Sequence, residues 1–387
     1  MANISLRKLF SLIQKRYFNT SPAAPSAAQF LSDSCGLPLE SAISVSKKFQ
    51  LDEKKFQKLK SVLCFLKSRG FDDTQVVKLI EKRPSILLRT VDGNLKPKFD
   101  FLLNNGFSGQ LLPELIVANP AVIGRGLKSH IKPSFRYLMS FTGSNENVVA
   151  AIRRGLWLLT CDFNVRLKPN IDMLINEGVP SKRIMKLLVR KPRFVIQSND
   201  TTIYAIRTLK NMGMNAKDPL FLRAFCTVIS MTESTLKDKF DVFKSLGWNE
   251  DQIFYAFRRS PSCFACSREG IKKKVDFYVN TMKLKIETLI ENPTVLTYSI
   301  DSRSLPRHNI LAVLESKNLV EKGIKIQTLL AMSDKVFMEK FVLKYMDQVP
   351  NLMEKYKSAK SVKERKILEK KLGERESKTK EEVEFLD

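Results

Sequence analysis

Residues Leu95 to His130 read LKPKFDFLLNNGFSGQLLPELIVANPAVIGRGLKSH, and the chain repeats this unit. The apolar residue that opens it recurs at Leu59, Leu95, Ile131, Leu167 and Ile203, each 36 residues after the last, and then with slight drift at Leu236 and Ile271. A self-similar period of roughly 20–50 residues marks a stacked array, in which each unit buries its apolar face against its neighbours.

Each unit parses into two helices and a short third piece. Helix A carries one apolar face, as in Leu95, Phe99, Leu102 and Leu103, or Leu167, Ile171, Leu174 and Ile175. Proline follows the opening residue closely at Pro97, Pro133 and Pro169, where the first helical turn has no N–H bond to lose. Helix A is expected to end at Gly70, Gly106, Gly143, Gly178, Gly213 and Gly247, since glycine accepts the left-handed closing conformation. Asp72, Ser108, Asn145, Ser181 and Asn249 then stand as candidate caps of helix B. Proline stops helix B at Pro84, Pro120, Pro192, Pro261 and Pro293. A short apolar run follows each, such as SILL, AVIG or RFVI, and is read as one tight turn. Two copies depart from the pattern. The unit from Ile131 has Leu156 where the proline would sit; the unit from Ile203 also lacks it and carries Arg207 at the fourth position after its start.

The expected fold is all-α: a right- or left-handed α-solenoid of about 7–8 repeats of ~36 residues, each two antiparallel helices plus a short 3-10 turn. The repeats are assigned to residues 59–303, after lead-in helices at 33–58. Residues 304–350 are read as C-terminal capping helices and 351–387 as a charged tail with 11 basic and 9 acidic residues. Residues 1–32 contain four basic residues and no acid, with Leu6, Leu9, Phe10, Ile13 and Tyr17 on one helical stripe. That pattern reads as an organelle transit peptide, for the mitochondrion in preference to the chloroplast. No apolar run is long enough to span a membrane.

The formal net charge is +26. Residues 33–350 hold 51 basic and 31 acidic residues, so +20 belongs to the array itself. This is the electrostatic footprint of a nucleic-acid binder. The basic residues recur at one place in the unit, the last turn of helix B and the turn beyond it. The candidate contacts are Arg83, Arg89, Arg125, Lys128, Arg153, Arg154, Arg166, Lys168, Arg190, Arg193, Arg258, Arg259, Arg268, Arg303 and Arg307. A position repeated in every unit becomes a stripe along the stack, and a stripe of cations can track a phosphate backbone. Cations at helix C-termini also complement the helix dipole whatever the protein does, so each residue separately has a second explanation.

Catalytic and metal-binding chemistry is poorly provisioned. His130 and His308 are the only histidines, and no phosphate loop, HExxH, GxSxG or GxGxxG stretch is present. Gly124-Arg125-Gly126-Leu127-Lys128-Ser129 lacks both the spacing and the ending of a phosphate loop. Cys263-Phe264-Ala265-Cys266 is the only CxxC and has no second ligand pair, so both cysteines are read as small buried residues. Trp157 and Trp248 are read as core. No cofactor, metal or enzymatic activity is expected.

The ordered series of apolar-Lys-Pro, a Phe/Leu face, glycine, a helix ending in a basic residue, and Pro-x-x-apolar resembles the mitochondrial transcription termination factor family, mTERF. The segments SRSLPRHNILAVLESKNL and FMEKFVLKYMDQVPNLMEKY look like the C-terminal part of its plant branch. The resemblance covers about residues 55–356. It implies a superhelical all-α array with a basic concave groove for double-stranded DNA, and sometimes RNA, in mitochondria or plastids. Three readings follow. The first is a monomeric, non-enzymatic DNA-binding regulator of organellar transcription or its termination. The second is an RNA-binding factor for intron splicing or ribosome assembly. The third is a helical scaffold for protein partners, which would bind in high salt and take little nucleic acid.

Overall fold

The computed structural model describes residues 27–49, 53–321 and 324–358, and among them every regular element is a helix. The expected transit peptide up to residue 26, and the charged tail beyond 358, lie outside the described residues. The fold is an all-α solenoid-type repeat array. It divides into two compact bodies. One holds the residues up to Asp172 together with Ser181–Gln197; the other holds Met173–Pro180 and the residues from Ser198 onward.

In the unit from Leu95, helix A runs over Lys96–Asn104 and buries Phe99 and Leu102. Glycine closes helix A as expected: Gly106 has φ 94° and Gly143 φ 77°, a region an L side chain enters only with strain. Helix A also begins earlier than its proline implies. A π turn precedes it at Val91–Leu95, Leu127–Ile131 and Phe163–Leu167, and again at Ile300–Ser304. Proline explains it. Inside a helix, Pro97 would drive its ring into the carbonyl four residues back. Widening the turn to i→i−5 bonds, such as Leu95 N–H to Thr90 O at 3.1 Å, makes room. The prolines therefore sit in the first turn of helix A, as expected, at the joint where the π turn meets it.

Helix B starts on real caps at two expected places. Asp72 and Asn249 each accept from the N–H three residues on, and Gln75 and Gln252 reach back to complete a capping box. Two other expectations are corrected. Ser144, not Asn145, caps Asn145–Arg154. Ser108 caps nothing: Gly109 takes φ 57°, the chain turns once more, and Leu111–Ala118 begins at Gln110 without a side-chain cap.

After helix B the chain turns on a single residue with shared dihedrals: Arg83 (φ −147°, ψ 74°), Lys191 (−145°, 59°) and Ser260 (−148°, 75°). Proline after each of these disfavours helical angles, which accounts for the break. Gly155, which precedes Leu156, adopts the same angles (−140°, 73°), and the 3-10 turn Leu156–Leu159 forms without proline. The unit from Ile131 is thus complete. The equivalent turn after Pro120, Ala121–Gly124, closes as a single α turn.

The fifth unit differs more. Ile203 is 42% exposed, whereas Thr202 is fully buried and lies on the face with Ala205, Ile206 and Leu209. The period therefore shortens by one here, and Thr202 is the true opening residue. This unit has no 3-10 turn: helix B (Phe221–Ile229) passes through Thr232 straight into the next helix A, Glu233–Ser245.

The unit pattern also runs on past residue 303. After its π turn, helix Leu305–Ser316 carries Pro306 at the joint; Asn318 (φ 55°) stands where glycine would, and a short Ile326–Ala331 follows. At the start, helix Ala27–Cys35 runs across residue 32 and buries Leu31. At the end, helix Leu352–Ser358 buries Leu352 and stacks Tyr356 on Phe337 at 5.4 Å, so residues 352–358 belong to the packed fold.

Candidate nucleic-acid interface

The turns after helix B lie against one another. In the first body, Lys82 Nζ donates to Val117 O at 2.9 Å, one unit on. The Arg83 guanidinium packs on Gly124, where any Cβ would come within 2.6 Å of it. Asn119 donates to Leu156 O at 2.8 Å, and Gly155 meets Pro192 so closely that a Cβ would stand 2.6 Å from the ring. The four turns that begin at Pro84, Pro120, Leu156 and Pro192 thus form one ladder. In the second body, Cys266 Sγ contacts Leu296 O at 3.5 Å, joining the turns Pro261–Ala265 and Pro293–Thr297.

The candidate cations flank these stacked turns in the sequence. In the first body Arg125, Lys128, Arg153, Arg154, Arg166, Lys168, Arg190 and Arg193 are exposed, while Arg83 and Arg89 are half-buried. Their proximity is visible in the groups they perturb. Burial, then Arg89, then Arg83, hold the Lys98 ammonium below the usual lysine range. Burial and Arg125 likewise lower His130, against an opposing pull from Asp162. Cys161 is raised by burial, although Arg166 and Arg125 both draw it down. Lys168 stands slightly apart, on helix A, and pairs with Asp172 at 3.6 Å. Arg154 Nη1 leans back on Ala150 O at 3.3 Å, and Arg193 lies over the Phe194 ring at 4.6 Å.

In the second body the candidates divide. Arg259 is exposed, with its guanidinium 5.5 Å from the Tyr255 ring centre. Arg268 is exposed and pairs loosely with Asp238 at 3.4 Å; such surface pairs contribute little and yield readily to phosphate. Arg258 is half-buried and donates to Met212 O at 2.8 Å, so it closes the end of an earlier helix A. Arg303 donates to Met332 O at 2.6 Å and lies over Tyr298. Arg307 stands apart from the exposed candidates. It is fully buried, with Nη1 on Leu329 O at 2.7 Å and Met332 O at 2.9 Å, and Nη2 on Asp334 at 2.7 Å. The recurrence of basic residues picks it out, but recurrence in sequence does not distinguish a turn-edge cation from a residue inside helix A. The second body holds a cleft of about 940 Å³. Its walls include Leu220, Arg258, Arg259, Pro293, Tyr298 and Met332, and the carboxylates Asp218 and Glu291 also line it.

Two further residues depart from expectation. Trp157, read as core, is 42% exposed in its turn beside Arg153 and Arg154, whereas Trp248 is buried against Phe243 at 4.9 Å. Cys263 is buried, but Cys266 is only half so and takes a hydrogen bond from Lys274 Nζ at 3.3 Å. No helix among the described residues is long and apolar enough to cross a membrane.

The fold and this edge define a class: helical-repeat proteins whose inter-unit turns carry a line of cations. A sequence model of the mTERF family matches residues 57–338, and the chain belongs to that family. It is similar to the Arabidopsis thaliana protein named transcription termination factor MTERF8, chloroplastic, at 21% identity over 278 residues, which cover 70% of this chain and 55% of that protein. It is also similar to transcription termination factor MTERF15, mitochondrial, from the same plant, at 24% over 189 residues, covering 46% and 40%. The matched regions thus span about half the length of these relatives.

Proposed function

We propose that this chain binds nucleic acid along its turn edge, favours double-stranded DNA, and regulates transcription or its termination in an organelle. The observation that supports the reading is the ladder of turns, whose flanking cations are mostly exposed. A line of exposed cations suits a phosphate backbone by charge, and needs no cofactor or catalytic group. The names of the two relatives support an organellar transcription role. The basic amphipathic pattern of the N-terminal sequence favours the mitochondrion over the chloroplast.

The test is equilibrium binding of the full chain to duplex DNA and to structured RNA of mixed sequence, each over a range of salt. The reading expects affinity for duplex DNA to fall steeply and log-linearly with salt. Salt-insensitive or absent binding would overturn it. A second reading, RNA binding in splicing or ribosome assembly, is favoured by one observation. Trp157 offers an exposed indole face among cations, which suits stacking on an unpaired base. Tighter binding to structured RNA than to duplex in the same assay would select it.

A further inference from the structure

One position inside helix A, three residues after the opening residue, is repeatedly polar and buried. Lys98, Ser134, Asn170, Lys239 and Arg307 all occupy it, and all are buried; Lys274 occupies it half-buried. Most of these side chains reach the carbonyls that end their own unit's turn. Lys98 Nζ donates to Ile123 O at 2.5 Å, and Asn170 Nδ2 to Val195 O at 2.8 Å and Gln197 O at 2.9 Å. Lys239 Nζ donates to Cys266 O, and Lys274 Nζ to Leu296 O at 2.6 Å. The unit that lacks a 3-10 turn has Ala205 at this position.

The gripped carbonyls sit beside the residues that carry the exposed cations. Ile123 is two residues before Arg125, Val195 two after Arg193, and Cys266 two before Arg268. A buried ammonium left without its carbonyl would be costly, so each grip is strongly held. Burial also places these side chains out of reach of any ligand.

We infer that Lys98, Asn170 and Lys239 are positioning residues: by clamping the end of each turn they set the direction in which Arg125, Arg193 and Arg268 leave the surface toward phosphate. The inference rests on the nucleic-acid reading above and adds to it a role for residues that touch no ligand. Exit direction decides whether neighbouring cations engage one strand together or point apart.

A double-mutant cycle tests it, using the full chain and a mixed-sequence DNA duplex as probe. Arg125→Ala should weaken binding roughly fivefold and lower the salt slope by about one unit. Lys98→Met should do much the same although its side chain is buried, and Lys98→Arg, which keeps a charged donor, should restore affinity. The double variant should bind no worse than Arg125→Ala alone, because both changes remove one contact. If Lys98→Met lowers the melting temperature yet leaves affinity and slope unchanged, or if the two losses simply add, the inference is overturned while the binding reading stands. If Arg125→Ala itself changes nothing, this edge is not the interface and both fall. Should Lys98→Met fail to fold, Asn170→Ala with Arg193→Ala runs the same cycle on a neutral clamp: a double variant no weaker than Arg193→Ala supports the inference, and additive losses overturn it.

Discussion

Arg258 and Arg259 are neighbours in sequence with different tasks. Arg259 is exposed over Tyr255, so Arg259→Ala should weaken duplex binding and flatten the salt slope by about one unit, with little change in melting temperature. Arg258 spends a donor on Met212 O, so Arg258→Ala should lower unfolding free energy by about 1–2 kcal/mol in denaturant titration and move the slope less. Arg307 is the extreme case: Arg307→Met should cost about 3 kcal/mol of stability, because it strips a donor from the buried carbonyls of Leu329 and Leu330 and from Asp334. A stable Arg307 variant with selectively impaired binding would return that residue to the interface. Trp157 provides an optical readout. It is exposed and Trp248 is not, so nucleic acid should quench the wild-type fluorescence and leave that of Trp157→Phe nearly unchanged. Equal quenching in both would place the ligand elsewhere.

The elements are held by local devices that substitution can separate. Asp72→Ala should cost about 1 kcal/mol by removing a cap, whereas Ser108→Ala, exposed and capping nothing, should be nearly silent in the same thermal melt. Gly155→Ala places a methyl 2.6 Å from the Pro192 ring and should destabilise by about 1–3 kcal/mol by prising two turns apart. Much of this is legible in the sequence, because glycine and proline act through the backbone and leave the same mark in most units. The positive φ at Gly106 and the break before Pro84 need no tertiary information. The slip at Ile203 is readable as well: Gly70, Gly106 and Gly178 stand 11 residues after their opening residues, and Gly213 stands 11 after Thr202. The π turns are harder to see, since they arise from a clash one turn upstream of the proline. The clamp position is hidden for another reason. A lysine on an amphipathic helix ordinarily marks the solvent face, and only the fold shows Lys98 and Lys239 turned inward onto carbonyls. Arg307 misleads on the same ground, as does Trp157, whose exposure depends on how its turn stacks.

For the molecule as a whole, the excess charge is what the proposed nucleic-acid binding rests on. A net +20 on the array is far more than helix-end compensation requires, and each body presents its own cations at its stacked turns. Repetition amplifies small terms: one exposed arginine contributes little, but a series released from counterions together yields a steep salt dependence. The most direct measurement is therefore the slope of log affinity against log salt for duplex DNA. It should be taken on the full chain and on a variant with Arg125, Arg153, Arg154, Arg193 and Arg259 changed to alanine. The account predicts a steep negative slope for the wild type and a slope shallower by about four to five units in a variant that still melts cooperatively. Equal slopes in the two proteins would contradict it.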